Sequence, residues 1–199
     1  MIVVGLTGSI ASGKSTVTAL LRKKGIHVFD ADAAVHDLYA DRDFSLLVEK
    51  QFPGTTSDTG VDRQKLAAAT LAHPERLQQL ELLVHPQVRK LQDGFLRVRS
   101  AAGDKTVVLD IPLLFETSGN PGVDVTVFVD APEAVRQQRA ASRPGMTLQK
   151  WHAIVGRQMP DSEKRKHADL VIENHGSLQE LRQAVEKLLR EVERKQSYA

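Results

Sequence analysis

The sequence contains no cysteine among its 199 residues, and it has no long run of apolar residues. The first absence excludes disulfide frameworks, cysteine-ligated zinc sites and thiol catalysis. The opening segment MIVVGLTG reaches glycine after four residues and lacks a basic region before its apolar part. It therefore predicts neither a signal peptide nor a membrane span, and we expect a cytoplasmic enzyme with no membrane partner.

A strong excess of charge of either sign is also missing. The 27 Lys and Arg residues are interleaved with 25 Asp and Glu residues, which leaves a net charge of +2. This balance does not predict nucleic-acid binding, because no dense basic block stands alone. The content of 41% hydrophobic and 26% charged residues is typical of a globular protein, and nothing in the sequence requires an oligomer. We expect one folding unit and a monomer.

Apolar segments of strand length recur along the chain and indicate a buried parallel sheet. Most of them are continuous rather than alternating, as in strands that are covered on both faces. Helical stretches separate the strands, and the last one carries an apolar stripe spaced by threes and fours. The pattern predicts an α/β fold. The five predicted strands are 2–6, 26–30, 106–110, 125–130 and 169–173.

Two regions interrupt this alternation. Residues 33–102 lack a good strand and are interpreted as a helical insertion, broken by the turn-rich segment 52–60 and by the His-Pro pairs 73–74 and 85–86. Residues 136–167 form a shorter excursion that we interpret as a lid closing over a bound nucleotide. The nucleotide-binding core would then comprise residues 1–32 and 103–199.

The segment LTGSIASGKST carries the clearest chemical signal, the pattern G-x-x-x-x-G-K-[ST] from Gly8 to Ser15. In a strand, loop and helix context this pattern cradles phosphates with backbone N–H groups and with the positive end of the helix. Gly8 and Gly13 allow the close backbone approach, and Lys14 reaches the β- and γ-phosphates. The hydroxyl of Ser15 is the expected Mg²⁺ ligand, so ATP and Mg²⁺ are the predicted cofactors.

Acidic residues follow two of the predicted strands, where parallel sheets collect their ligands. Asp32 is our candidate for the base that accepts a proton from an attacking hydroxyl. A helix N-cap is the alternative for Asp32. Asp110 matches the strand-end acid that holds Mg²⁺ through water, and a plain strand-end acid before the Pro112 turn is the alternative.

The helix after the fourth strand predicts a cationic face made by Arg136, Arg139 and Arg143. Such a face can stabilise the charge on a moving phosphoryl group, and a merely solvated face is the alternative. His85 precedes a proline and is expected to project from a helix junction, with a structural kink as the alternative role. Trp151, the single tryptophan, is interpreted as packing within the lid.

Together these segments resemble the dephospho-CoA kinases. The match spans nearly the whole chain and includes GLTGSIASGKST, VFDADAAVHDLY, VDRQKLAA, ERLQQLELLVHPQVR, VVLDIPLLFE, PEAVRQQRAASR, RQM and ADLVIENHG. The resemblance implies a P-loop kinase fold, with a five-stranded parallel sheet flanked by helices, a helical acceptor-binding insertion and a helical lid. The implied reaction is transfer of the ATP γ-phosphate to the ribose 3′-hydroxyl of dephospho-CoA, which gives coenzyme A and ADP.

The resemblance also implies roles for individual residues. Asp32 would be the base, and Lys14 and Arg139 would act on the transferred phosphate. The acceptor side would be lined by His85, Asp110, Leu113 and Leu114. The ATP side would be formed by Gly8, Ala11, Ser12, Gly13, Lys14, Ser15, Thr16, Arg143, Asn174 and Gly176, with Asn174 and Gly176 near the adenine.

Four positions depart from the family pattern. Ser9 and Ala11 stand where the family loop GGIGSGKS has glycines, His36 stands where arginine is common, and Pro144 follows Arg143 where an acid is usual. The loop changes fall among the four free positions of the motif, so phosphate binding is expected to persist.

Two other functions compete with this interpretation. One is a P-loop kinase with another small hydroxyl acceptor, such as a nucleoside or shikimate, although such a kinase has no need of the HP and DIPLLFE segments. The other is a nucleotide-dependent switch protein. No N-K-x-D segment for reading guanine is present, and the insertion is helical rather than a short switch loop.

Overall fold

The computed structural model describes residues 1–116 and 122–196. The chain divides into two compact units, one comprising residues 1–29 and 99–199 and the other residues 30–98. In chain order the elements are β1 (Ile2–Gly8), α1 (Lys14–Lys23), β2 (His27–Asp30), α2 (Ala31–Ala40), α3 (Arg42–Gln51), β3 (Thr56–Ser57), β4 (Gly60–Val61), α4 (Arg63–Thr70), α5 (Pro74–Ala101), β5 (Thr106–Asp110), β6 (Val125–Asp130), α6 (Glu133–Ala141), α7 (Leu148–Val155), α8 (Asp161–His167), β7 (Leu170–Glu173) and α9 (Leu178–Gln196).

The first unit is built on a five-stranded sheet with the strand order β2-β5-β1-β6-β7. β1 is central and pairs in parallel with both β5 and β6, with Ile2 opposite Thr106 and Val4 opposite Val125. All seven residues of β1 are buried. The five predicted strands are confirmed in place and in type, because unbroken apolar runs are what a sheet covered on both faces requires.

Helices α1 and α9 close one face of this sheet through a shared apolar core. Val17 and Leu21 of α1 pack with Leu181, Val185 and the other buried residues of the α9 stripe against the strands. The predicted end of α1 is also observed. Gly25 follows the helix with a φ of +81°, the left-handed conformation that a glycine adopts after a helix C-terminus.

The second unit contains α2 to α4, the first part of α5 and the short hairpin of β3 and β4. Aspartates begin three of these helices: Asp30, Asp41 and Asp62 accept hydrogen bonds from backbone N–H groups in the first turns of α2, α3 and α4. The core consists of Phe44, Val48, Phe52, Leu66, Leu80 and Val84. The hairpin of β3 and β4 lies within and just after the turn-rich segment 52–60, and its two strands were not predicted.

The predicted helix junction at His85 and Pro86 is wrong. Helix α5 runs without a break from Pro74 to Ala101, with Pro86 inside it. Leu80 and Val84 are buried one turn apart on its inner face, whereas Pro86 is exposed. Burial of this apolar face outweighs the backbone hydrogen bond that a proline removes.

None of the helices in the described part of the chain is long and apolar enough to cross a membrane.

Candidate nucleotide site

The phosphate-loop sequence forms the turn between β1 and α1, as the motif predicts. A Cβ atom on Gly8 would lie 2.5 Å from Oγ of Ser12 and 3.1 Å from the carbonyl oxygen of Val129, so this position has no room for a side chain. Gly13 has a φ of +90° and lies against the side-chain amide of Asn174. Ala11 also adopts a left-handed conformation, with a φ of +58°. The loop therefore has the tight backbone that surrounds an anion at a helix N-terminus.

Lys14 is the first residue of α1 and forms an ion pair with Asp110 at the end of β5. The second carboxylate oxygen of Asp110 accepts a hydrogen bond of 2.9 Å from the hydroxyl of Thr18. Asp110 is only 3% exposed, and a buried carboxylate of this kind requires such partners. Asp110 is thus tied to the phosphate loop, which is more than a plain strand-end acid would show.

Two side chains converge on the carbonyl oxygen of Ser12. Asn174 donates to it from Nδ2 over 2.7 Å, and Arg139 donates to it over 3.3 Å. Arg139 also donates to the carbonyl oxygen of Asn174 over 3.1 Å. These contacts join the loop to α6 and to the segment after β7.

A cleft of about 300 Å³ lies beside these contacts. Eight of the residues that line it are predicted to bind ATP or to act on the transferred phosphate: Ala11, Gly13, Ser15, Thr16, Arg139, Arg143, Asn174 and Gly176. Leu178 and Leu181 of α9 complete its lining. The spacing of the apolar residues predicts the stripe of α9 but does not show that its first turn also lines this cleft.

A capping box fixes the start of α9 next to Gly176. The backbone N–H of Ser177 donates to the Glu180 carboxylate over 2.5 Å, and the N–H of Glu180 donates to the Ser177 hydroxyl over 3.2 Å. The hydrogen bond from the Ser177 N–H lowers the pKa of Glu180 below its ordinary value of 4.5. Glu180 is therefore anionic at neutral pH and holds the turn that carries Gly176.

The predicted arginine face is only partly correct. Arg136 and Arg139 lie in α6, but that helix ends at Ala141, and Arg143 lies beyond its end. Arg136 is 3% exposed and donates to the carbonyl oxygen of Ala131 over 3.0 Å, so it is not part of a solvated face. Pro144 and Gly145 follow Arg143 in a turn, which explains why the helix does not continue.

Trp151 packs as predicted. It is 2% exposed and belongs to a small apolar cluster with Ala11 and Ala140. The guanidinium of Arg136 lies 5.6 Å from the centre of its ring. The tryptophan of α7 therefore supports the phosphate loop at Ala11.

Asp32 and His85, predicted for the base and for acceptor binding, lie in the second unit. Asp32 is exposed in the first turn of α2, and Asp30 rather than Asp32 caps that helix. The capping alternative for Asp32 is therefore wrong. His85 is exposed on α5, and His36 is exposed on α2.

The two leucines predicted on the acceptor side belong to the first unit and differ in burial. Leu113 is 42% exposed, whereas Leu114 is 6% exposed. A Cβ atom on Gly5 would lie 3.1 Å from Cδ2 of Leu114. Leu114 therefore packs close to β1.

No cluster of three or more His, Cys, Asp or Glu side chains that could hold a metal ion occurs in residues 1–116 and 122–196. The hydroxyl of Ser15 and the carboxylate of Asp110 are two oxygen ligands available beside Lys14. Such a short set suits Mg²⁺, which keeps several waters and takes further ligands from substrate phosphates.

Comparison with known proteins agrees with this geometry. A model of the dephospho-CoA kinase family matches residues 2–180. The chain is 44% identical over 189 residues to a dephospho-CoA kinase of Brucella melitensis, which covers 95% of this chain and 94% of that protein. It is 47% identical over 192 residues to a dephospho-CoA kinase of Mesorhizobium japonicum, covering 96% and 97%. A crystal structure from Thermus thermophilus superposes with a TM-score of 0.84 at 40% identity, covering 96% and 97% of the two chains. By its phosphate loop, its cleft and these likenesses, the chain belongs to the dephospho-CoA kinase family.

Proposed function

We propose that the chain performs the reaction of its family, the ATP-dependent phosphorylation of dephospho-CoA to coenzyme A. The single observation that carries this proposal is the cleft beside the phosphate loop, where Gly13, Ser15 and Thr16 lie together with Arg139 and Asn174. We infer the identity of the acceptor, dephospho-CoA, from membership of the family. We infer the nucleotide site from the cleft.

In this proposal ATP lies with its phosphates on the loop from Ala11 to Thr16. The N–H groups of Thr16 and Val17 donate to the carbonyl oxygen of Gly13. The N–H groups of Lys14 and Ser15 precede these bonds and are the ones that we assign to phosphate oxygens. Lys14 exchanges its ion pair with Asp110 for the β- and γ-phosphates. Gly176 lies on the adenine side of the same cleft.

The transferred phosphoryl group gathers negative charge on its oxygens, and cations aimed at that charge lower the barrier. Lys14 and Arg139 are the residues that we assign to this task. Arg143 lines the cleft from beyond the end of α6 and is assigned to ATP binding.

Mg²⁺ fits the donor set of the loop. Ser15 would hold it directly. Asp110, which keeps its hydrogen bond with Thr18 when Lys14 turns to the phosphates, would hold it through water. When bound, the ion neutralises charge on the β- and γ-phosphates.

For the second unit we propose that Asp32 accepts the proton of the ribose 3′-hydroxyl as the hydroxyl attacks the γ-phosphorus. A carboxylate serves as a general base when it lies within hydrogen-bond distance of the hydroxyl and orients it for attack. His85 contributes to binding of dephospho-CoA, and residues 30–98 form the acceptor-binding domain. Asp110, Leu113 and Leu114 contribute from the first unit.

The test is ADP release from Mg-ATP in the presence of dephospho-CoA, compared with no acceptor, with a panel of nucleosides and with shikimate. We expect ADP release that depends on dephospho-CoA and yields coenzyme A in equal amount. ADP release with a nucleoside or with shikimate, and not with dephospho-CoA, would overturn the proposal that dephospho-CoA is the acceptor. Slow hydrolysis that ignores every acceptor would favour a switch protein.

A further inference from the structure

Lys164 of α8 is a buried lysine that the proposed reaction does not use. Its side chain is 0% exposed. Burial of an ammonium group is strongly unfavourable unless ion pairs and hydrogen bonds replace its water. The residues that surround Lys164 therefore define a specific arrangement.

Lys164 has two partners, and one of them is in the phosphate loop. Its Nζ forms an ion pair of 2.8 Å with Glu116 and donates a hydrogen bond of 3.3 Å to the hydroxyl of Ser9. Glu116 also accepts from the backbone N–H of Met159 over 2.9 Å. The lysine thus connects the segment after β5, the start of α8 and the loop.

The hydroxyl of Ser9 continues this connection. It donates to the carboxylate of Asp161, which also accepts from Arg136 over 2.5 Å. A serine hydroxyl has one proton to donate and two lone pairs. Here the proton goes to Asp161 and a lone pair receives the proton of Lys164, so both neighbours fix the rotamer of Ser9.

The next residue of the loop is held from the same side. The N–H of Ile10 donates to the side-chain oxygen of Gln158 over 3.0 Å. The carbonyl oxygen of Ile10 accepts a hydrogen bond from Arg136 over 3.5 Å. Two consecutive loop residues are therefore fixed by side chains from α6 and from segment 158–164. Each of these partners is more than 120 residues away in sequence.

We propose that Lys164 is a positioning residue for the phosphate loop, which it acts on through the hydroxyl of Ser9. Cations and anions alternate along the array Glu116, Lys164, Asp161 and Arg136, with Ser9 at its centre. The array holds the first half of the loop so that the N–H groups of its second half meet the phosphates. This inference rests on the proposed nucleotide site.

The array depends on the side chain at position 9, because the glycine of the loop pattern GGIGSGKS has no hydroxyl to place between a lysine and an aspartate. Ser9 is 5% exposed, and its hydroxyl belongs to the array rather than to the cleft. The serine therefore adds a direct link between the buried lysine and the loop.

The test is the dissociation constant of Mg-ADP, measured by titration calorimetry on the whole chain, for wild type, Lys164→Met, Lys164→Arg and Ser9→Ala. Lys166→Met is the matched control, because Lys166 lies in the same helix but is 69% exposed and pairs with Glu163. The dissociation constant of dephospho-CoA is measured for each variant as a second readout, and circular dichroism checks folding.

We expect Lys164→Met to raise the dissociation constant of Mg-ADP about tenfold or more, since small displacements of a binding group have large effects. We expect Lys164→Arg to restore most of the affinity, Ser9→Ala to weaken binding about threefold and Lys166→Met to behave as wild type. Binding of dephospho-CoA should change less than about twofold in Ser9→Ala, because the hydroxyl of Ser9 contacts Lys164 and Asp161 and none of the residues predicted on the acceptor side.

A folded Lys164→Met variant that binds Mg-ADP as wild type does would overturn the proposal. If Lys164→Met does not fold, Ser9→Ala decides: unchanged affinity for Mg-ADP overturns the proposal, and weakened affinity with unchanged dephospho-CoA binding supports it. Failure of the wild-type chain to bind Mg-ADP would instead overturn the proposed nucleotide site, and the inference with it.

Discussion

The side-chain amide of Asn174 donates a hydrogen bond of 2.7 Å to the carbonyl oxygen of Ser12. Because a trans peptide group is planar, its C=O and N–H point in opposite directions. Fixing the carbonyl of Ser12 therefore fixes the N–H of Gly13, which faces away from Asn174. Arg139 reinforces this orientation from a second side. Asn174 thus holds the loop while it also lines the cleft, and its place near the adenine stays a prediction.

Replacement of Asn174 by alanine should therefore weaken ATP binding through the loop. We expect Asn174→Ala to raise KM for ATP about tenfold, because the peptide between Ser12 and Gly13 loses its main constraint. Asn174→Asp should be worse, since a carboxylate cannot donate to a carbonyl oxygen. Steady-state kinetics with varied ATP measure the effect. The neighbouring His175, which is exposed and pairs with Glu173, supplies the control His175→Ala. Equal KM values for Asn174→Ala and this control would contradict the assignment.

Loss of the loop lysine should lower turnover strongly in the variant that still folds. We expect Lys14→Met to lower kcat by about 10²-fold or more, because a cation that acts on the transferred phosphate is removed. Rapid-quench measurement of coenzyme A formation gives the rate. Lys23→Met, an exposed position in the last turn of the same helix, is the control. Binding of ATP is followed by the fluorescence of Trp151, the single tryptophan, which packs against Ala11. Normal turnover in Lys14→Met would remove the lysine from the mechanism.

The role assigned to Asp32 gives a different kinetic pattern. We expect Asp32→Asn to lower kcat by at least about 10²-fold with KM for ATP nearly unchanged, because an amide cannot accept the proton of the acceptor hydroxyl. Since Asp30 is the cap of α2, this substitution leaves the start of the helix intact. Asp37→Asn, at an exposed position of the same helix, is the matched control and should keep wild-type turnover. If Asp32→Asn and Asp37→Asn have equal turnover, Asp32 is not the base of the reaction.

The left-handed conformation of Ala11 predicts which side chains the loop tolerates. A β-branched residue at a φ of +58° is strongly disfavoured, so Ala11→Val should destabilise the first unit by about 2 kcal/mol. Glycine accepts this conformation but removes a methyl group packed near Trp151, so Ala11→Gly should stay within about 1 kcal/mol of wild type. Thermal unfolding monitored by tryptophan fluorescence measures both. A valine variant as stable as wild type would show that the loop relaxes to another conformation.

The hydrogen bonds of Glu49 in the second unit should make the stability of the turn at Gly54 depend on pH. Glu49 accepts hydrogen bonds of 2.7 Å from the N–H of Gly54 and from the hydroxyl of Thr56, and these lower its pKa below the ordinary 4.5. The stabilisation is complete above pH 4.5 and is lost as the pH falls through the lowered pKa of the folded state. We expect the protection factor of the Gly54 amide against hydrogen exchange to decline over that range. In Glu49→Gln the protection factor of the Gly54 amide should not depend on pH in this range. If it declines as in wild type, another group is responsible for the decline.

The strands could be located from the sequence because each is a short, unbroken apolar run between polar segments. The continuity of α5 could not, because local chemistry at Pro86 favours a break and only packing in the folded unit opposes it. Residues such as Leu80 and Val84 supply that packing, and their partners Phe44 and Phe52 come from α3 and its end. The hairpin at Thr56 to Val61 has too few residues to produce a strand pattern.

The site divides in the same way. The phosphate-loop residues could be predicted because their function depends on a fixed local spacing. The partners that hold the loop could not, since Lys164 and Asp161 meet Ser9 only after the sheet has formed. A run of charged residues such as DSEKRKH resembles a solvated helix, and nothing local shows that its lysine at position 164 is buried.

The central place of β1 determines when the phosphate loop can form during synthesis. β1 leaves the ribosome before both of its neighbours, β5 and β6, with Ile2 paired to Thr106 and Val4 to Val125. The second unit, by contrast, is one continuous segment, residues 30–98. A nascent chain therefore has the second unit complete while the ATP loop still lacks both neighbouring strands. The sheet around the phosphate loop is therefore complete only in chains that have been made beyond β6.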